Sequence, residues 1–289
     1  MISKDILKGY GELTKPRILF FVLITTTLGY FLGARGIPSW IHWACLLFGV
    51  ALVCGGSAAL NHYLERDIDS RMERTRNRPI PAGLISPAHA LLFGILSILS
   101  GVVLLCWKIN LLTAFLGLLT AFLYVLVYTP LKRISWLNTT IGAIPGALPP
   151  VGGWVAATGE VSLGTWILFF LLFIWQHPHF YAIAWMFRED YRRGGLQMLP
   201  VIYPDGRSTF FQIKTFTWLL IPVSLFPTWI GMSGYFYFWG ALLLGILFLK
   251  QSLHAAATRS YQDAYRVLKA SIFYLPLILL LIIFDAALI

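Results

Sequence analysis

The chain has 289 residues, 58% of them hydrophobic and 12% charged, with a net charge of +10. That balance excludes a water-soluble enzyme of one or two domains and describes an all-α polytopic membrane protein, one transmembrane domain over 1–289. The positive charge is read as topology and attraction to anionic lipid, with no nucleic-acid function attached to it.

Nine apolar segments follow one another along the chain, at 16–34, 39–60, 88–107, 110–128, 139–158, 162–187, 209–230, 234–250 and 270–288. Each is long enough to cross a bilayer as a helix. With the N-terminus on the cytoplasmic side, every Lys and Arg except Arg35 and Lys108 falls inside, so the positive-inside rule predicts a cytoplasmic N-terminus and a periplasmic C-terminus. The first segment has a charged leader without a small-residue cleavage site and reads as a retained helix. The absence of a transit-like extension points to a bacterial inner membrane.

The end of the second segment is the most informative stretch: Asn61-His62-Tyr63-Leu64-Glu65-Arg66-Asp67-Ile68-Asp69. Steps of four residues turn a helix by only about 40°, so Asn61, Glu65 and Asp69 share one face. Acids at a membrane boundary are costly and usually have a task. Mg²⁺ prefers one or two carboxylates together with substrate phosphates, so an apolar protein carrying this face at its rim points to a lipid diphosphate substrate. Asp67 lies about 240° round from Asn61 and reaches the same metal only if the helix unwinds there. Arg71, Arg74, Arg76 and Arg78 follow before Pro79, and guanidinium groups bind phosphate oxygens in pairs.

Further along, the fifth segment carries Gly142, Gly146, Gly152 and Gly153 with Pro145, Pro149 and Pro150. It reads as a bent or broken span lining a central cavity, closely packed through its small residues. The sixth segment ends Trp175-Gln176-His177-Pro178-His179-Phe180-Tyr181 and runs into Arg188-Glu189-Asp190-Tyr191-Arg192-Arg193. Segments two and six thus share a faint repeat, each ending in an acidic, arginine-rich loop. Two such loops facing one compartment are suited to withdrawing charge from a departing diphosphate. Residues two apart on a helix point about 200° apart, so His177 and His179 face different surroundings. Cys45, Cys54 and Cys106 lack metal-type spacing and read as packing residues; His42 and His89 read as interfacial. The stretch with His254, Tyr261 and Tyr265 reads as an amphipathic loop resting on the membrane surface.

The first loop resembles the Asn-x-x-x-acid-x-x-x-Asp motif of the UbiA superfamily of intramembrane prenyltransferases, continued by Met72-Glu73-Arg74-Thr75-x-Asn77-Arg78-Pro79. More narrowly the chain resembles the heme-farnesylating branch. That likeness rests on Lys15-Pro16-Arg17, Tyr128-Thr129-Pro130-Leu131-Lys132-Arg133, Gly142 to Pro150, Pro178-His179-Phe180, Asp190-Tyr191 and Met198-Leu199-Pro200. Two departures stand out: Glu65 occupies a position where Asp is usual, and Met186, not Asp, precedes Asp190 by four.

The resemblance implies transfer of the farnesyl group of farnesyl diphosphate to a vinyl group of heme B, giving heme O, with Mg²⁺ as cofactor. It assigns the metal to Asn61, Glu65 and Asp69, with Asp67 and Asp190 as further candidates. Diphosphate contacts fall to Arg74, Arg78, Lys132 and Arg17. Asn61, Glu65, Asp69, Asp190 and Tyr128 form the catalytic set. Tyr63, Tyr128, Phe180 or Tyr181 would face an allylic cation. His177 or His179 would meet heme iron, as imidazole commonly does; Lys15, Arg17 and Lys269 are candidates for its propionates. The lipid bilayer is a partner in every case, and the implied protein partners are a heme A synthase or terminal-oxidase assembly. Two alternatives stay open: a UbiA-type enzyme acting on an aromatic or quinone precursor, which leaves the intramembrane histidines without a role, and a heme or lipid transporter, which would place its polar residues nearer mid-membrane.

Overall fold

The structure is a computed structural model and describes residues 4–286, with helix the only regular secondary structure among them. In chain order the helices are α1 (Lys4–Leu13), α2 (Pro16–Ala34), α3 (Trp40–Asp69), α4 (Pro87–Lys108) and α5 (Leu111–Phe122). A π-helical turn at Leu123–Tyr128 continues α5 into α6 (Thr129–Leu131). Then come α7 (Asn138–Thr158), α8 (Leu163–Met186), α9 (Arg188–Arg193), α10 (Leu199–Ile202), α11 (Arg207–Trp229), α12 (Tyr235–Thr258) and α13 (Tyr261–Ala286).

Eight helical spans are long and apolar enough to cross a membrane by length and composition, among them Leu111–Leu131 as one unit. The ninth predicted span is α7, 21 residues long but diluted by Gly, Pro and Thr. It packs against α2, α5 and α8, so protein rather than lipid surrounds much of it. The predicted break in α7 does not occur: the helix is continuous despite Pro145, Pro149 and Pro150. Membrane helices tolerate such prolines when neighbouring helices pack around them; Gln176 of α8 donates to the Ala143 carbonyl at 3.1 Å and fixes α8 against α7. Gly142, Gly146 and Gly153 make the close contacts predicted of them, whereas Gly152 faces open space. A methyl at Gly29 of α2 would land on the Pro150 carbonyl, and one at Gly153 on the Thr26 carbonyl, so α2 and α7 meet backbone to backbone.

Two boundaries differ from expectation, and both matter for charge. Helix α3 begins at an N-cap, where the Ser39 hydroxyl accepts from the His42 amide, and runs 30 residues to Asp69. At 1.5 Å per residue that is about 45 Å, longer than the hydrocarbon core, so its last turns stand at the rim. The amphipathic loop expected around His254, Tyr261 and Tyr265 is instead the tight meeting of α12 and α13, with only Arg259 and Ser260 between them. Asp263 ties it together, accepting from Thr258 and Ser260 at 2.7 Å each and pairing with Arg266. The last two residues of the ninth predicted segment lie outside the described residues.

One cluster of the core joins α2, α7 and α8 to α11, α12 and α13; a second joins α2 to α3, α4, α5 and α7. Helices α2 and α7 therefore form the seam between two halves. The C-terminal ends of α3 and α8, the N-terminus of α2 and the loop after α6 meet at one end of that seam.

Candidate active site

The site is built on the last three turns of α3. Asn61 and Asp69 are fully buried and Glu65 is 5% exposed; the shared face predicted from the four-residue step exists and points into protein. Buried carboxylates need a compensating charge, and each has one. Glu65 Oε1 lies 2.8 Å from Lys132 Nζ. Both oxygens of Asp69 lie 2.8 Å from the same Arg78 nitrogen. Asn61 accepts from Lys15 Nζ through Oδ1 and donates from Nδ2 to Thr129 Oγ1 at 3.0 Å.

Local backbone geometry brings these partners in. Lys15 sits between α1 and α2 in the left-handed region, φ 51°, a conformation non-glycine residues rarely adopt; the kink turns its side chain onto Asn61 and onto Tyr124 Oη at 3.2 Å. On the other side, Pro130 would clash in a regular α-helix with the carbonyl four residues back. The π turn at Leu123–Tyr128 accommodates it, and the Thr129 hydroxyl donates to the Tyr124 carbonyl at 2.8 Å. In this register Tyr124, Tyr128 and Lys132 face α3 together, with Lys132 Nζ 4.6 Å from the Tyr128 ring centroid and the two tyrosine rings 5.6 Å apart.

Electrostatics follow from this crowding. Burial, with Arg78 and Lys132 nearby, lowers the pKa of Lys15 to about 7. Burial also disfavours charge on Lys132, but the Glu65 carboxylate outweighs it and raises that pKa well above the usual lysine value. The site thus holds one ammonium ready to lose its proton beside another locked in the charged state.

Other predicted residues are placed differently. Asp67 is not brought to the site: α3 continues unbroken through it, its side chain is 66% exposed and its nearest cation is Arg66 at 3.9 Å. Asp190 reaches the first loop but meets its backbone, accepting from the Glu73 amide at 3.0 Å and the Arg74 amide at 3.4 Å. It joins the two loops. Glu189 is 61% exposed and pairs with Arg192. Arg74 stays over the rings of Phe187 and Tyr191. Arg17 is exposed on the first turn of α2. Of the aromatic candidates Tyr128 is at the site, while Tyr63 lies under the Arg66 guanidinium and Phe180 is 40% exposed.

Three participants were not predicted: Tyr124, Thr129 and His62. His62 is buried, and neither ring nitrogen has a partner. It lies seven residues before Asp69, a separation that returns to within about 20° on a helix, so a seven-residue step would have found it.

Among the described residues no three His, Cys, Asp or Glu side chains are gathered as a ready-made metal cage. The donor set nevertheless fits a hard divalent ion that arrives with a phosphate: two carboxylates and an amide oxygen on one face, three cations among them, and an imidazole beside them with both nitrogens unmet.

Comparison with known proteins gives the family and the fold. Residues 22–277 match the model of the UbiA prenyltransferase family. A protoheme IX farnesyltransferase of Solibacter usitatus is 46% identical over 288 residues, covering 96% of this chain and 99% of the relative. One from Salinibacter ruber is also 46% identical, covering 96% and 98%. Among solved structures, a digeranylgeranylglyceryl phosphate synthase has a similar fold, with TM-score 0.84, 20% identity and coverage of 99% and 100%. A UbiA homolog from Archaeoglobus fulgidus bound to GPP and Mg²⁺ has TM-score 0.67 and 18% identity, covering 95% and 99%.

Proposed function

This chain belongs to the UbiA prenyltransferase family and is a prenyl-transferring enzyme of the membrane; we propose that it moves the farnesyl group of farnesyl diphosphate onto a vinyl group of heme B, forming heme O. The observation that carries the reading is the buried face of Asn61, Glu65 and Asp69 with Lys15, Lys132 and Arg78 each already seated on one of its members.

The pairings explain how such a site stays folded before substrate arrives and what it does afterwards. Each buried acid is held by a base that a diphosphate also attracts. Glu65, Asp69 and the Asn61 oxygen are the groups that would hold a divalent ion arriving with the diphosphate. Lys132, Arg78 and Lys15 are then free to donate to phosphate oxygens, and no buried charge is left bare at either stage. The ion, Mg²⁺ by the oxygen-rich donor set, supplies charge neutralisation on the leaving diphosphate. The Tyr128 face, already holding the Lys132 ammonium, is placed to stabilise positive charge on the allylic carbon as the C–O bond opens. The isoprenoid chain would lie between helices, away from water that would quench the cation early.

The orientation proposed for the bilayer follows from the basic residues: the site end is cytoplasmic, the C-terminus periplasmic, and the membrane the inner membrane of a bacterium. Delivery and removal of heme through a heme A synthase or an oxidase-assembly partner fits the same reading.

Purified protein supplied with heme B, farnesyl diphosphate and Mg²⁺ is expected to form heme O, detected by mass. Product from 4-hydroxybenzoate in place of heme would move the assignment to an aromatic-acid prenyltransferase.

A further inference from the structure

Helices α12 and α13 lie side by side and change character at the same level. Residues 235–249 and 270–284 carry no charge, whereas residues 250–269 between them hold Lys250, Arg259, Arg266 and Lys269 against one acid, Asp263. The two boundaries are in register: Gly240 faces Leu281, and the same antiparallel pairing sets Gln251 opposite Ala270. At that level a groove of about 450 Å³ opens between the helices, lined by Gln251, Arg266, Lys269 and Ala270. It stands where apolar helix gives way to charge, as hydrocarbon gives way to lipid headgroups.

The groove is distinct from the surface that α8 covers. His179 Nδ1 of α8 lies 2.8 Å from Ser271 Oγ of α13, and the ring of His177 stacks on Phe216 of α11 with centroids 3.7 Å apart. Lys269, a propionate candidate by sequence, is about 200° round α13 from Ser271 and is exposed, as is Arg266.

Its cations are held in place without being used up. Arg266 Nη1 lies 2.7 Å from Asp263 Oδ1, and the buried Asp263 is itself fixed by the Thr258 and Ser260 hydroxyls. The guanidinium is thereby oriented, with N–H groups left over for an anion. Lys269 Nζ sits 4.6 Å from the Tyr265 ring centroid and pairs with no carboxylate among the described residues. On the apolar side of the groove the surface continues through Leu247, Phe273 and Leu277, all exposed. This pattern selects an amphiphile: a phosphate at the level of the two cations, an ester or glycerol oxygen for the Gln251 amide, and acyl chains along the helices. Lys250 and Arg259 flank the groove and would repel the ammonium of a zwitterionic headgroup, so a headgroup of net negative charge fits best.

We propose that this groove binds one anionic phospholipid of the surrounding leaflet, with its phosphate on Arg266 and Lys269 and its acyl chains along α12 and α13. The proposal is independent of which acceptor the enzyme prenylates.

The test is native mass spectrometry of the full-length protein in micelles doped with phosphatidylglycerol or with phosphatidylcholine of the same acyl chains. Wild-type protein is expected to retain one phosphatidylglycerol at about tenfold lower lipid concentration than phosphatidylcholine. R266Q/K269Q is expected to erase that preference, and K269Q, which removes no ion pair, to reduce it about threefold with the melting temperature unchanged. K4Q/K8Q, the same loss of charge placed on α1, is expected to keep the preference, which separates a built site from general attraction to anionic lipid. Equal retention of the two lipids by the wild type, or an equal fall in K4Q/K8Q, overturns the proposal. Soluble glycerol phosphate and heme B are expected to leave the lipid in place. Displacement by glycerol phosphate would make the groove a site for a free phosphate ester, and displacement by heme B would make it a site for propionates; either result also overturns the proposal.

Discussion

The ends of α3 and α8 carry similar charges into the same end of the bundle, yet they use them differently. At α3 Glu65 and Asp69 are buried, each on a named base, and the face they share with Asn61 lies against α6 and the residue after it through Thr129 and Lys132. At α8 the charges remain in water: Glu189 and Arg192 pair while more than half exposed, an arrangement worth ~0–1 kcal/mol. Asp190 crosses to the first loop and meets backbone amides there, while the exposed Arg193 reaches Glu73 at 3.8 Å. Similar composition therefore does not mean similar role. Where desolvation makes a wrong position costly, charge is fixed in place and available for chemistry; where water screens it, charge can hold loops together but does not define a site.

The sharpest contrast is expected from neutralising the acids. E65Q and D69N should each lower heme O formation by about 10³-fold, a loss of ~4 kcal/mol in transition-state stabilisation. Stability separates the site from its support: K132M leaves Glu65 buried without its partner and should cost ~3–5 kcal/mol, seen as a lower melting temperature. The double variant E65Q/K132M should recover much of that stability and none of the activity. Recovery of turnover in the double variant would show that the pair is only structural.

A second difference lies in pH. Lys15, with a pKa near 7 in the free site, should take up a proton when a diphosphate binds, because the anion favours the ammonium. Affinity for a non-hydrolysable farnesyl diphosphate analogue should then level off below pH 6 and fall about 50-fold between pH 7 and 9. K15R, always charged, should lose that slope; the difference between the two proteins removes the ligand's own titration. Stability should move the other way. A lysine whose folded value lies below its ordinary 10.5 binds fewer protons folded than unfolded, so its burial costs most below pH 7 and stability rises from there toward pH 10.5. Calorimetry showing no proton uptake at pH 8 would remove Lys15 from the anion site.

The loop-joining role of Asp190 predicts an intermediate effect. D190A releases the Glu73 and Arg74 amides and should raise KM for farnesyl diphosphate about tenfold, ~1.4 kcal/mol, with kcat within about twofold. D190N keeps one acceptor oxygen and should recover most of the loss. An equal fall in kcat, with weaker Mn²⁺ binding, would instead make Asp190 a metal ligand.

These residues also show where sequence is informative. Helical period is a local property, so the Asn61, Glu65, Asp69 face, the membrane spans and the opposed directions of His177 and His179 were all legible. The step of four that found that face passed over His62, which a step of seven reaches. Lys15 was a candidate by charge, but its contact with Asn61 depends on a left-handed residue between two helices, and Tyr124 depends on a π turn made for Pro130. Neither leaves a periodic trace. The seat of Asp190 on two backbone amides was hidden for a related reason: an acid in a loop next to arginines looks the same in sequence whether it will meet a metal or a pair of amides.

The smallest expected effects close the comparison from its exposed side. D67N and E189Q remove acids that belong to the same two motifs by sequence but lie in water, one 3.9 Å from Arg66 and the other paired with Arg192. If burial and not motif membership decides function, both should keep kcat and KM within about twofold of wild type, and stability within ~0.5 kcal/mol. Increasing ionic strength should shrink even that difference, since exposed pairs are screened. A tenfold loss in D67N would require α3 to unwind near its end during the reaction and carry Asp67 round to the face of Asn61, Glu65 and Asp69. Hydrogen exchange at the Asp67 and Ile68 amides with and without the diphosphate analogue would then be the direct check, because an intact α3 keeps both amides protected in either state.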